Sequence, residues 1–298
     1  MSKVAFIFPG QGAQYVGMAK DFYDKYDECK AIIDEADECM DFDLKKILFE
    51  ENDLINKTEY TQAAMLAAEC CILKAVEMKG IKADITAGLS LGEYAALVAA
   101  RAISFSDAMK LVRKRGIYME KEVPAGKGGM AAVIGLDSKI IDDICEKITK
   151  ESGKSVAAAN YNCPGQIVIS GSVPGIEKAC ELMKAAGAKR ALPLKVGGAF
   201  HSPLMDPAKV ELEAAINATE IHTPKCPVYQ NVDALPHTDP VEIKKNLVAQ
   251  LTASVRWTQS VKNMIADGAT DFTECGPGAV LQGLIKKIDG TVSAHGIV

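Results

Sequence analysis

Gly88-Leu89-Ser90-Leu91-Gly92 is a G-x-S-x-G pentapeptide, and its surroundings decide what it can do. It follows a short apolar run, Ile85 to Gly88, that reads as a strand. It precedes an Ala- and Leu-rich stretch, Leu91 to Ala100, that reads as a helix. In that context a sharp turn exposes the serine oxygen as a nucleophile. The glycines permit close backbone approach, and the helix start turns free N–H groups toward any developing anion. A tight turn with an incidental serine would show the same five residues. A serine nucleophile needs a base, and the histidines on offer are His201, His222, His237 and His295. His201 lies in Gly197-Gly198-Ala199-Phe200-His201-Ser202-Pro203, where Ser202 reads as an N-cap and Pro203 as the first helical position. It would project from a loop at a domain junction, where small-molecule clefts gather. His222 and His237 occupy polar, proline-containing segments, and His295 lies near the end of the sequence. His201 is the expected base, with a hinge-filling histidine as the alternative.

Arg115 is the most informative charge. Ala108, Leu111, Val112, Arg115 and Met119 share one helical face, while Lys110, Arg113, Lys114 and Lys121 point elsewhere. An arginine on an inward stripe needs an anionic or hydrogen-bonding partner. An internal Asp or Glu would serve, and so would a substrate carboxylate held bidentately. Gly10-Gln11-Gly12-Ala13-Gln14 follows the first strand and lacks the G-K-[ST] of a phosphate-binding loop. It is either an ordinary strand-to-helix turn or a donor of one backbone N–H to an oxyanion hole.

The elements that must position these residues alternate. Val4 to Phe8 reads as a buried parallel strand stopped by Pro9-Gly10. Helical patterns follow to about Met40. Thr61 reads as the N-cap of a helix from Gln62 to Lys79, closed by Gly80. After the Ile85–Gly88 strand and its helix, another helix runs from about Ser106 to Glu122, the order of a parallel α/β sheet. The pattern changes at Pro124-Ala125-Gly126-Lys127-Gly128-Gly129. Strand Met130–Gly135, helix Ser138–Lys150 and strands Ser155–Asn160 and Gln166–Gly171 follow, then helix Pro174–Ala186 and strand Arg190–Val196. That βαββαβ order is ferredoxin-like. The expectation is an α/β fold in which residues 125–196 form a small ferredoxin-like domain. It is inserted into a larger domain made of 1–124 and 197–298, with Gly197-Gly198 as the return hinge. Later strands are expected at Val228–Val232, Thr270–Cys275 and Thr291–Ala294.

Composition excludes other classes. The chain has 298 residues, 48% hydrophobic and 24% charged, so it is neither disordered nor fibrous. Its net charge of −5 argues against a general nucleic-acid surface. No apolar run reaches the ~18 residues of a membrane span, and the apolar stretch at the amino terminus is short for a signal peptide. Nine cysteines without a C-x-x-C pair read as reduced thiols. A cytoplasmic protein with no cofactor and no metal is the expectation.

Taken together, Phe8-Pro9-Gly10-Gln11-Gly12, Tyr60-Thr61-Gln62 and the serine elbow resemble the malonyl-CoA:acyl-carrier-protein transacylase family. Asn160-Tyr161-Asn162-Cys163-Pro164-Gly165-Gln166, Ala199-Phe200-His201-Ser202 and Glu274-Cys275-Gly276-Pro277-Gly278 extend the similarity over nearly the whole chain, in the family's order. The resemblance implies a hydrolase-like α/β domain with a ferredoxin-like insertion. It implies malonyl transfer from malonyl-CoA to acyl carrier protein, with Ser90 as nucleophile and His201 as base. The N–H groups of Gln11 and Leu91 would bind the oxyanion, Arg115 the malonyl carboxylate, and the main-chain carbonyl of Gln250 would orient the histidine. Leu89, Ala13 and Ala63 stand where the family more often has His, Ser and Pro. Phe200 matches malonyl-selective relatives. Lys189, Arg190, Lys286 and Lys287 are candidates for a basic rim facing the acidic carrier protein. A sequence with no fused synthase domains points to fatty-acid rather than polyketide synthesis. A serine hydrolase using water as acceptor, and a non-catalytic carrier-binding module, are the other readings. The inward arginine, the glutamine-rich motifs and the inserted domain count against the first, and the intact Ser90, His201 and Arg115 set against the second.

Overall fold

A computed structural model describes residues 2–122, 127–194 and 198–297. Strand β1 (Lys3–Phe8) leads through short helices α1 (Lys20–Lys25), α2 (Asp27–Glu38) and α3 (Leu44–Phe49) to the long helix α4 (Thr58–Met78). Strand β2 (Ile85–Gly88) runs into α5 (Gly92–Ala99), and α6 (Phe105–Glu122) follows. A second unit holds β3 (Gly128–Ile134), α7 (Ser138–Ser152), β4 (Val156–Cys163), β5 (Gln166–Ser172), α8 (Val173–Ala185) and β6 (Arg190–Pro193). The chain then continues through α9 (Asp206–Ala218), β7 (Val228–Tyr229), β8 (Pro236–His237), α10 (Pro240–Gln250), α11 (Trp257–Ala266), β9 (Ala269–Glu274), α12 (Val280–Ile288) and β10 (Ser293–Gly296).

The first sheet has the order β10-β9-β1-β2-β7-β8, parallel except for the β7–β8 edge pair. Its central strand is apolar on both faces because both faces are covered. Phe6 and Phe8 pack into the core built around α4, α5 and α6, while Ala5 and Ile7 pack with Trp257, Phe272 and Leu281. This period-two division explains why β1 reads as a continuous apolar run. The second sheet is antiparallel, ordered β4-β5-β3-β6, with its own core against α7 and α8. The segment after α10 stitches the two together: Val255 and Tyr161 exchange backbone contacts, Val255 N–H to Ala159 O at 2.8 Å and Tyr161 N–H to Val255 O at 2.9 Å.

Several expected boundaries shift for identifiable reasons. Thr61 is not an N-cap: α4 starts three residues earlier, and the buried Thr61 hydroxyl is used by the carbonyls of Ile55 and Lys57. Ser202 does precede a 3₁₀ turn opened by Pro203, yet its hydroxyl donates to Ala199 O instead of capping. The expected strand Val228–Val232 stops at Tyr229, because the Asn231 N–H donates to Glu93 instead of continuing the ladder and the Gln230 N–H turns to Leu235 O. The crossing residues Pro124, Ala125 and Gly126 lie outside the described residues. So do Val196 and Gly197 at the expected return, and Lys195 before them.

Candidate active site

Ser90 stands between β2 and α5 with a φ of 55°, in the left-handed region that non-glycine residues seldom occupy. The turn closes because the residues two positions before and after Ser90 lack a side chain: a Cβ on Gly88 would lie 1.9 Å from the Gly92 carbonyl carbon, and one on Gly92 2.2 Å from Phe8 O. His201 also has a left-handed backbone, φ 56°. Strain of this kind costs on the order of 1–3 kcal/mol per residue and persists only where the surroundings enforce it. Here those surroundings bring the two side chains together, with Ser90 Oγ 2.7 Å from His201 Nε2. His201 Nδ1 is 2.8 Å from the backbone carbonyl of Gln250. A carbonyl only accepts, so Nδ1 carries the proton, Nε2 presents its lone pair, and the serine hydroxyl donates to it. Burial, and then the nearby charge of Arg115, pull the His201 pKa down to about 4, which keeps the imidazole neutral at physiological pH. His222 lies at the surface beside Glu220, His237 is half-buried beside Asp233, and His295 lies on β10 beside Asp271.

Arg115 occupies the inward stripe of α6 and is fully buried. Two residues earlier Arg113 takes the carboxylates, Asp41 at 2.9 Å and Glu59 at 3.2 Å. Arg115 has neutral oxygens instead: Ser90 Oγ and Gln250 Oε1, both at 3.1 Å, and Gln62 Oε1. Its Nε has no acceptor among the described residues, and its guanidinium lies 5.5 Å over the Tyr94 ring. Burial lowers its pKa against smaller opposing effects of Tyr94 and Glu93. Gln62 links onward, donating to Gln11 Oε1 at 3.0 Å, and Gln11 in turn donates to Thr58 Oγ1 at 3.1 Å. A chain of side-chain amides thus joins the arginine to the loop after β1. The backbone N–H groups of Gln11 and Leu91 donate no hydrogen bond among the described residues. Gln11 borders a cleft of about 240 Å³ over Ser90, also lined by Asn160, Gln166, Phe200 and His201. Groups of both sheets therefore face the same space.

Such a constellation can do acyl-transfer chemistry: a serine hydroxyl, a neutral imidazole able to take its proton, N–H groups without a partner among the described residues, and a buried cation. The acyl transferase domain family matches residues 5–294. The malonyl CoA-acyl carrier protein transacylase of Bacillus subtilis is 47% identical over 290 residues, 97% of this chain and 91% of that protein. The chain belongs to this family. It is an acyltransferase. Among solved structures, an acyl carrier protein S-malonyltransferase from Vibrio cholerae superposes with a TM-score of 0.95 at 43% identity, covering 99% of this chain and 97% of that one. A malonyl-transacylase in complex with a type II PKS acyl-carrier protein superposes at 0.96 with 41% identity, covering 99% and 96%.

In this acyltransferase, several groups around Ser90 carry no motif of their own. Asn231 Oδ1 accepts the Ser90 backbone N–H at 2.7 Å, and its Nδ2 donates to Gly88 O at 2.6 Å. Glu93 receives Asn231 N–H at 2.7 Å and Gln230 Nε2 at 3.0 Å. Burial raises the Glu93 pKa to about 7, while these donors hold it down. Gln250 Nε2 donates to Ser90 O at 3.0 Å. Phe200 closes one wall with its ring over Gly198. Leu89 borders the cleft and packs on the core beneath β1. Lys189, Arg190, Lys286 and Lys287 are all exposed, the last two on the final turn of α12, whose first turn reaches the cleft through Val280. Among the described residues no helix is long and apolar enough to cross a membrane.

Proposed function

We propose that this acyltransferase moves the malonyl group from malonyl-CoA to the phosphopantetheine thiol of holo acyl carrier protein, through a malonyl-Ser90 intermediate, in fatty-acid synthesis. The observation that carries the reading is Arg115: a buried cation beside the nucleophile, hydrogen-bonded only to neutral oxygens among the described residues, suits an acyl group that brings its own carboxylate. Relatives named for malonyl transfer to acyl carrier protein support it.

In the first half-reaction His201 Nε2 takes the Ser90 proton as Oγ attacks the thioester carbon. The tetrahedral oxyanion is held by the N–H groups of Gln11 and Leu91. The C–S bond breaks, and the imidazolium returns the proton to the coenzyme A sulfur. In the second half the carrier thiol gives its proton to His201, and its sulfur attacks the ester carbon. The C–O bond breaks, and Ser90 Oγ recovers the proton. The Gln250 carbonyl keeps the imidazole in the required tautomer, in place of a third acidic residue. Side chains and backbone supply all of this chemistry without a cofactor. Thioester exchange is close to balanced energetically, so the site must chiefly keep water from the acyl-enzyme.

The same reading takes residues 125–196 as a ferredoxin-like domain inserted into a hydrolase-like α/β domain of 1–124 and 197–298. The β4-β5-β3-β6 strand order and the βαββαβ succession support it. The carrier protein would dock on the exposed Lys189, Arg190, Lys286 and Lys287, in the cytoplasm. Intact-mass spectrometry after mixing with malonyl-CoA, then chasing with holo acyl carrier protein, tests the proposal. A malonyl adduct that is absent from Ser90→Ala and moves onto the carrier is expected. An adduct that decays only in water would replace the transferase with a hydrolase.

A further inference from the structure

The nucleophile's backbone is held by a closed ring of contacts that no motif announces. Ser90 donates its N–H to Asn231 Oδ1, and Asn231 Nδ2 donates to Gly88 O, so one amide side chain bridges both arms of the elbow. Asn231 is fixed from behind, since its own N–H donates to Glu93 Oε2. Glu93 lies three residues after Ser90 in the first turn of α5, fully buried, and completes the ring through the chain. Its other oxygen receives Gln230 Nε2. Gln250 joins the same ring, donating to Ser90 O at 3.0 Å and Asn231 Oδ1 at 3.3 Å, while its carbonyl holds His201.

We propose that Glu93 is a positioning residue for the nucleophile, acting through Asn231 to hold Ser90 in its left-handed conformation. The inference rests on the assignment of Ser90 above. An acid in the first turn of a helix ordinarily serves that helix's own free N–H groups. Glu93 instead commits both oxygens to residues 230 and 231, which come from the distant end of β7. Both partners are donors, so the site calls for an acceptor on each oxygen. A glutamine would turn one of those acceptors into an N–H facing another N–H. The ring also accounts for the early end of β7: residues that could have continued the ladder are held at the elbow.

The test uses the intact protein as wild type, Glu93→Gln, Asn231→Ala and the double variant. Thermal unfolding is followed beside single-turnover formation of the malonyl adduct. The expected result for each folded variant is an adduct rate at least ~10-fold slower, with half-saturating malonyl-CoA within about twofold, the signature of lost positioning without lost binding. The double variant should be no slower than the worse single one, because each breaks the same ring. A folded Glu93→Gln with a wild-type rate, or losses that multiply in the double variant, overturns the proposal. Should the variants fail to fold, amide hydrogen exchange in the wild type decides. The Ser90 N–H is expected to be protected where the unpaired Gln11 N–H is not, and equal exchange at both overturns the brace. Absence of any malonyl adduct from wild type would count against the proposed function, and the exchange measurement would still judge the ring.

Discussion

Arg115 is where the proposed acyl preference is decided. A malonyl carboxylate would give its guanidinium the anionic partner that Gln62, Gln250 and Ser90 do not supply, whereas an acetyl group would give it nothing. Hydrogen bonds to a charged group contribute ~1.5–3 kcal/mol each. Two of them correspond to roughly two to four powers of ten in rate. Arg115→Ala is therefore expected to lose malonyl transfer by that factor while acetyl transfer changes less than about tenfold. Parallel kinetics with malonyl-CoA and acetyl-CoA check this, and equal losses would remove the carboxylate role. The residues that the structure brings together are legible in the sequence itself: a serine in an elbow, a histidine at a junction and an arginine on an apolar stripe. Glu93 and Asn231 are not. Asn231 is 141 positions from the serine amide it holds, and a polar residue after a short strand looks like any turn. Gln62 belongs to the Tyr60-Thr61-Gln62 motif, but nothing local says that its amide bridges Arg115 and Gln11.

At the scale of elements, the elbow is a packing problem before it is a catalytic one. Helix α5 starts so close to β1 that Gly92 touches the Phe8 and Pro9 carbonyls, where an added Cβ would lie 2.2 and 2.5 Å from their oxygens. Neither backbone can yield without moving β1, the strand at the centre of both cores. Gly92→Ala should cost at least the ~1–3 kcal/mol of ordinary overpacking and abolish adduct formation, since it displaces the residue two positions after Ser90. Gly283, on α12, makes the matched control. A Cβ there meets nothing within 4 Å, so Gly283→Ala should be stabilising by about 0.5–1 kcal/mol through helix propensity. Chemical unfolding of the two variants checks both, and equal effects would refute the packing argument. The alternation of strand and helix is readable because it depends on local period, and β1, β2 and the second unit fall within a few residues of their expected bounds. Where the expectation fails, distant partners decide. The early start of α4 uses Thr61 as an interior hydrogen-bond donor, and β7 is cut short by contacts to α5.

Among the described residues three glutamates lie in the interior: Glu69 and Glu93 are fully buried, and Glu274 nearly so. Glu69 finds no hydrogen-bond partner among the described residues, and burial, with Glu274 nearby, raises its pKa well above the usual range. Glu274 accepts the N–H groups of Leu281 and Gln282 at the start of α12, yet burial still raises its pKa. Burial takes Glu93 to about 7. A carboxyl raised in this way keeps its proton longer in the native state than in the unfolded chain. Its contribution is complete below the unfolded value near 4.5 and is lost as the pH climbs through the folded one. His201 works in the opposite direction. Unfolded histidine takes up a proton near 6.5 and the native residue only near 4, so falling pH costs stability across that interval. Between about pH 4.5 and 6.5 the His201 and Glu93 effects oppose each other, and above 6.5 the histidine contributes no further slope while the acids do. The protein should therefore unfold several degrees lower at pH 8 than at pH 6.5, a drop that follows from buried acids and not from its net charge of −5. Glu69→Gln removes a proton release that favours the unfolded chain, so it should raise Tm at pH 8 and flatten the drop. Thermal unfolding of wild type and Glu69→Gln across pH 5 to 8 checks this. Parallel curves would mean that Glu69 binds its proton alike in the folded and unfolded chain, and that Glu93 and Glu274 set the slope.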